Sequence, residues 1–283
     1  MIDLHTHTTA SDGTLSPAEL VRYAAQKRLE AVAVTDHDTV EGVAEALSAG
    51  TVTGIEVVPG IEISARYPGA TLHILGYYPD ISDPGFLKSI RLLQQARAER
   101  NPEIIRRLQK LGIDITLDEV TRKAETGQTG RPHFAQVLLE KGYVKTIREA
   151  FDKYLKKGAA AYVDKFRFPP QEAIAHIRNA GGIPVLAHPQ TLKCPSATVL
   201  ELFLTDMVSY GLMGIEAHYP DHTPADTAQY ERLAEKYGLL VTGGTDFHGK
   251  ALSGIDIGSG RGSMQVDYGL LEKLKSAAAS PAV

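Results

Sequence analysis

The sequence predicts an α/β fold, a parallel sheet or barrel interrupted by an inserted helical domain. Three observations carry this reading. Short apolar runs such as Ala31-Val32-Ala33-Val34-Thr35 read as strands covered on both faces. These runs alternate with helical periodicity, as parallel strands joined by crossover helices require. Between Phe86 and about Lys157 the alternation stops and only helical periodicity remains. The body is therefore expected to comprise residues 1–85 and 166–283, with the insertion at 86–165.

Met1–His7 is the first expected strand. Ser16 and Pro17 open a helix through Lys27, with Pro17 at its first position and Glu19 in its first turn. Strand Ala31–Thr35 is followed by helix Val40–Ala49, which Gly50 is expected to end. Glu56–Ser64 and Leu72–Tyr78 are further strands. In the insertion, Leu87–Leu111 is a long helix that Pro102 must kink or restart. Leu117–Thr126, Phe134–Lys141 and Ile147–Lys156 are shorter helices. The body resumes with helix Gln171–Ala180, strand Ile183–Ala187, helix Ala197–Tyr210 and strand Gly214–Ala217. Helix Ala225–Tyr237, strand Leu239–Thr242 and a last helix from about Asp267 to Ala278 complete about seven strands. The C-terminal Ala277–Val283 is expected to fray.

A chain of 283 residues, 43% hydrophobic and 23% charged, can bury a sizeable core. The first residues carry neither the basic nor the apolar segment of a secretory signal, and no window approaches a membrane span. Cys194 is the single cysteine, which rules out an intrachain disulfide and suits a reducing compartment. A cytoplasmic protein without membrane contact or an obligate protein partner is expected. The net charge of −4 is unevenly spread: residues 86–165 hold 17 Lys and Arg against 10 Asp and Glu, leaving 13 against 24 elsewhere. A basic lid beside an acidic body would attract anions, although a solvated helical face would show the same bias.

The chemistry falls at the predicted strand ends. His5 and His7 share a face with Asp3 on the first strand. Asp12 lies in the next loop. His37 stands between Asp36 and Asp38, either of which orients an imidazole or caps a strand end. Glu62, His73, His188, Glu216, His218, Asp246 and His248 follow at later strand ends. Seven of the ten histidines thus sit at or beside strand C-terminal ends, the functional face of barrels and open α/β sheets. Burying so many ionisable groups without metal or pairing would be costly. Imidazole and carboxylate donors without thiolates suit manganese, iron or zinc. The donors exceed one ion's needs, so two or three divalent ions are implied, Glu62 bridging two of them.

His5-x-His7, Asp12, Thr35-Asp36-His37-Asp38, Glu62, His73, His188 and Asp246-x-His248, in this order, resemble the PHP (polymerase and histidinol phosphatase) family. The insertion, with Gly130-Arg131-Pro132-His133-Phe134, resembles the TrpH-like phosphoesterase branch. The resemblance implies a distorted (β/α)7 barrel with a trinuclear centre, manganese being the expected metal. It implies one ion on His5, His7, Glu62 and Asp246, a second on Asp12, His37 and His248, and a third on Glu62, His73 and His188. It also implies a nucleotide substrate bearing 3′ and 5′ phosphates, cleaved to release phosphate.

The expected reaction is in-line attack on phosphorus by a metal-bound hydroxide. His218, left over from the donor set, is the candidate acid, with phosphate binding as its alternative; Asp246 is taken as both ligand and catalytic residue. Arg131, at a predicted helix start, offers a guanidinium fork to a phosphate, assisted by His133. Arg100 and Asn101 lie at the Pro102 break and could face the same cleft, while Lys156 and Lys157 stand where the insertion rejoins the body. The alternatives are a 5′–3′ exonuclease on short oligonucleotides, a histidinol phosphatase, a non-catalytic polymerase accessory module and an amide hydrolase or deaminase. The complete donor set disfavours the accessory module.

Overall fold

The computed structural model describes residues 1–68, 72–124, 127–249 and 254–279. The end of the expected helix at Thr126 and the chain beyond residue 279 lie outside the described residues. Seven strands form one sheet in the order β1 to β7. They are β1 (Ile2–Asp3), β2 (Ala31–Val34), β3 (Glu56–Ala65), β4 (Leu72–Tyr77), β5 (Ile183–Leu186), β6 (Gly214–His218) and β7 (Leu240–Gly243). The sheet all but closes on itself: Leu4 N donates to Gly243 O at 3.1 Å, and His7 N to Phe247 O at 2.9 Å. The result is a mixed α/β, nearly closed seven-stranded barrel.

The sheet is not wholly parallel, which departs from the expectation set by strand–helix alternation. β4 runs antiparallel to both β3 and β5. Only residues 66–71 separate β3 from β4, too short a link for the crossover that parallel strands need. β1, β2 and β3 are mutually parallel, as are β5, β6 and β7.

Helices α1 (Pro17–Gln26), α2 (Val43–Thr53), α7 (Pro170–Asn179), α8 (Ala197–Ser209), α9 (Pro224–Tyr237) and α10 (Tyr268–Ala279) belong to the barrel. α1 begins with the expected capping box between Ser16 and Glu19. α2 does not stop at Gly50; it ends at Gly54, which takes a left-handed φ of 76°. Gly50 serves packing instead, because a β-carbon there would meet Val57 Cγ2 at 2.6 Å.

The insertion consists of α3 (Pro84–Lys110), α4 (Leu117–Lys123), α5 (Arg131–Glu140) and α6 (Ile147–Ala150), followed by a π-helical turn to Leu155. It has an apolar cluster of its own, including Ile104, Leu108, Ile115, Phe134, Leu138 and Leu155. α3 joins the two bodies. Its first half places Phe86, Ile90 and Leu93 in the barrel's core, and its second half places Ile104 and Leu108 in the insertion's. The expected boundary at Phe86 therefore falls within a shared helix. α3 also runs through Pro102 without a break, since packing at both ends outweighs the roughly 3 kcal/mol that an interior proline costs. Among the described residues, no helix is long and apolar enough to cross a membrane.

Strand alternation sets the site. On β3, Ile61 and Ile63 pack with Ile174 and Ile177 of α7. Glu62 between them must face the opposite way, into the barrel, where it is fully buried. On β6, Ile215 and Ala217 join the same outer cluster, leaving Glu216 to face inward.

Candidate metal centre

The side chains predicted as ligands converge at the strand C-terminal ends. His5 Nε2 lies 3.4 Å from both Glu62 Oε2 and Asp246 Oδ1. His7 Nε2 lies 3.3 Å and 3.0 Å from the same two oxygens. Donors about 2.0–2.2 Å from one tetrahedral ion stand roughly 3.3 Å apart, so these four fit a shared ion. His7, Asp12, His37 and His248 form a second group, and His37, Glu62 and His73 a third. His188 Nε2 approaches the third group, at 3.0 Å from Glu62 Oε1 and 3.3 Å from His73 Nδ1.

Hydrogen bonding distinguishes this arrangement from ordinary ion pairing. His5 Nε2, His7 Nε2, His37 Nδ1, Glu62 Oε2 and Asp246 Oδ1 are buried against one another, none of them in a well-directed hydrogen bond. Buried polar atoms of this kind are costly unless something else satisfies them. The outer ring nitrogens, by contrast, are bonded. His5 Nδ1 meets Glu216 Oε1 at 3.0 Å, His188 Nδ1 meets Thr191 Oγ1 at 3.0 Å, and His248 Nδ1 donates to Asp246 O at 2.7 Å. Each of these contacts fixes a ring with its Nε2 toward the centre, as ligating histidines require. His188 and Asp246 hold φ values of 24° and 54°, the kind of backbone strain that functional sites store.

Electrostatics explain the cohesion of the ion-free cluster. Burial disfavours charge on Glu62, yet the surrounding His73, His37 and His5 hold its carboxyl well below the usual range. Burial likewise opposes charge on His7, but Asp246 and Glu62 overcome it and push the imidazole up to about 10. Burial prevails at His73, whose imidazole falls to about 4 against the pull of Glu62. The folded value of His7 lies above the unfolded 6.5, so its stabilisation is complete below about pH 6.5 and is lost as pH rises toward about 10. The chelator-treated protein should lose thermal stability across that window, while its affinity for divalent ions rises as His7 gives up its proton. Calorimetry in buffers of different ionisation enthalpy should register proton release on ion binding below about pH 10. Release of no protons would contradict a protonated His7 in the ion-free cluster.

His218, the candidate acid, is not among the donor groups that converge. The β6–β7 register slips between Glu216 and His218, breaking the alternation that would have put them on one face. His218 Nε2 instead lies 3.4 Å from Glu231 Oε1 on α9. The next residue turns in: Tyr219 donates its hydroxyl to Asp246 Oδ2 at 3.1 Å, and its ring lies 5.5 Å from that of His188. Sequence reasoning missed Tyr219, because the bulge that swings it inward leaves no mark in the strand pattern. It also passed over the orienting role of Glu216, which additionally accepts from His188 N at 2.7 Å.

The aspartates around His37 anchor loops and bond no ligand imidazole. Asp36 accepts from Thr8 N, Thr8 Oγ1 and Ser11 Oγ at 2.8, 2.7 and 2.6 Å, holding the loop that leads to Asp12. Asp38, fully buried, binds Arg97 of α3 at 2.5 Å and Lys165 at 2.9 Å. Asp3, which shares β1 with the ligand histidines, turns to Thr245 and Gly258 instead.

Basic side chains collect at the junction of insertion and barrel. Arg100 is buried and bonds Asn101 Oδ1 at 2.8 Å, while Asn101 Nδ2 donates to Thr129 O at 2.9 Å. Arg131 donates to Leu155 O at 3.1 Å and lies 5.6 Å from the centre of the Tyr162 ring. Burial, then the charges of Arg97, Arg131 and Arg167, push Arg100 down. Burial pushes Lys165 down to about 8 despite Asp38. His133 uses Nδ1 to accept from Gly130 N at 2.9 Å and is close enough to Asp12 to feel its charge. Lys156 pairs with Asp152 at 2.8 Å.

Comparison with known proteins agrees with this geometry. A PHP domain match spans residues 3–172. The chain is 33% identical to a 3′,5′-nucleoside bisphosphate phosphatase of Chromobacterium violaceum, over 91% of this chain and 90% of that one. It is 35% identical to a 5′–3′ exoribonuclease of Haemophilus influenzae, over 87% and 89% of the two chains. A structure from Bifidobacterium adolescentis, inferred to be a metal-dependent phosphoesterase, superposes with a TM-score of 0.88 at 29% identity, covering 99% of this chain and 97% of its own. Similarity along nearly the whole chain, joined to donors that converge as divalent ions require, makes this protein a member of the PHP domain family and a metal-dependent phosphoesterase.

Proposed function

We propose that the enzyme removes one phosphate from a nucleotide carrying two, a 3′,5′-bisphosphate such as adenosine 3′,5′-bisphosphate, yielding AMP. The observation that carries this reading is the surplus of buried positive charge at the junction. Arg97, Arg100, Arg131, Lys165 and Arg167 gather where Asp38 is the one fully buried acid among their named partners. Guanidinium groups stay charged even when buried, so a second dianionic group is what relieves their mutual repulsion. The phosphatase relative acts on such a bisphosphate.

In this reading two or three divalent ions, manganese foremost with iron or zinc as alternatives, occupy the three donor groups. When bound, they supply Lewis-acid activation of water and of the phosphoryl oxygens. The chain's own residues orient and exclude. Glu216, Thr191 and the Asp246 carbonyl fix the His5, His188 and His248 rings, and Tyr219 holds Asp246. Arg131, Arg100 and Lys165 grip the phosphate that is not cleaved, with His133 and Asn101 bracing the insertion around them. The cytoplasm is the compartment that suits such a substrate and the lone Cys194.

A second reading, stepwise 5′–3′ cleavage of short oligonucleotides, is favoured by the identity with the exoribonuclease. The same cationic junction would then track a strand. Phosphate and mononucleotide release by the manganese-loaded enzyme should be measured on adenosine 3′,5′-bisphosphate, AMP, histidinol phosphate and a 5′-phosphorylated RNA trinucleotide. Preference for the bisphosphate is expected. Preference for the trinucleotide, with mononucleotides released, would replace the first reading by the second.

A further inference from the structure

The insertion is fastened to the barrel at the two loops that bear Asp12 and His37. Gly127 approaches the first loop so closely that a β-carbon there would stand 1.8 Å from Thr9 O. Beside it, Gln128 N donates to Ala10 O at 3.0 Å. The Gln128 side chain reaches the second loop, where its Nε2 donates to His37 O at 3.0 Å and to Asp38 O at 3.1 Å. Asp38 holds a left-handed φ of 54°, which sets the direction of these carbonyls. Its carboxylate binds Arg97 of the insertion and Lys165. One residue beyond Gln128, Thr129 O accepts from Asn101, which in turn holds Arg100. A single short loop thus bonds the backbone of a candidate ion ligand and, within two residues, the network of the buried Arg100 and Asn101.

We propose that Gln128 is a positioning residue for His37, through which seating of the insertion and ion binding at the His7, Asp12, His37 and His248 group are linked. The inference rests on reading that group as an ion site. The amide carries no charge, so its effect is geometric: it pins the backbone from which the imidazole projects. Linkage between two ligands is reciprocal. An anion that draws the insertion down onto the barrel tightens the ion, and the ion tightens the anion. Removing the Gln128 amide breaks the connection while leaving every ion donor and every cation in place.

The test is calorimetric titration of Mn(II) into the chelator-treated full chain, wild type against Gln128→Met, with and without AMP. Gln128→Met is expected to weaken the class of Mn(II) site that uses His37 about 10-fold, the lower range for residues that orient metal ligands, and to leave the site on His5, His7, Glu62 and Asp246 unchanged. AMP should tighten that class in wild type and not in the variant. Activity of the variant should be low at limiting Mn(II) and recover at excess, whereas a merely structural defect would persist at every concentration. Superimposable isotherms, or equal tightening by AMP in both proteins, would overturn the linkage while leaving the ion site intact. A wild type that bound no Mn(II) would overturn it together with the ion site. Should Gln128→Met not fold, the same titration on Gln128→Ala decides the matter.

Discussion

Glu62→Gln is expected to lower kcat/KM by at least about 10³-fold, with ion content falling in parallel. Among the described residues, no other carboxylate approaches as many of the candidate ligands. One Glu62 oxygen faces His5, His7 and His37, and the other faces His73 and His188. Glutamine keeps the shape but removes the negative charge, and it puts an NH2 donor where a lone pair is needed. His5 and His7, whose charge Glu62 helps to hold, would lose that counter-charge in a buried space. Metal analysis of the purified variant beside its steady-state kinetics provides the check. Full ion content with full activity would show that the cluster does not need this carboxylate, and would dismantle the bridging role assigned to it.

Arg131→Ala should discriminate by substrate. On a nucleotide with two phosphates, kcat/KM is expected to fall roughly 10- to 100-fold, chiefly through KM. That range corresponds to the about 1.5–3 kcal/mol that a hydrogen bond to a charged group contributes. On a substrate whose single phosphate is the one cleaved, the loss should stay within about 3-fold, because no phosphate then occupies the lid side of the cleft. Arg131 spends one N–H on Leu155 O and rests beside Tyr162, so its fork retains donors for a ligand. Equal losses on both substrates would mean that Arg131 only supports the insertion, and the cationic junction would lose its role as the seat of a second phosphate.

Much of the chemistry is legible in the chain. Short apolar runs locate all seven strands, although β1 covers only Ile2–Asp3 of the expected Met1–His7, and His5 and His7 lie just beyond it. The order of His, Asp and Glu at strand ends identifies a metal centre, because a fold cannot bury so dense a set of ionisable groups unless ions or opposite charges satisfy them. The points at which sequence and structure part share a cause. His218 reads as the strand-end histidine left over from the donor set, yet the register between β6 and β7 slips here, His218 meets Glu231, and Tyr219 reaches Asp246. Gly50 reads locally as a helix end, yet its lack of a side chain answers to Val57 across the packed interface. Neither a bulge nor a close approach has a local signature, since each depends on atoms far along the chain.

Which donors the protein owns, and that they lie at strand ends, follows from residue types and short apolar runs, which are local properties. Tertiary structure alone decided how those donors are grouped, which imidazole nitrogens face inward, and that Asp38 and Gln128 join the insertion to the metal loops. Those outcomes depend on barrel closure and on contacts between residues 90 or more positions apart, which no local pattern encodes.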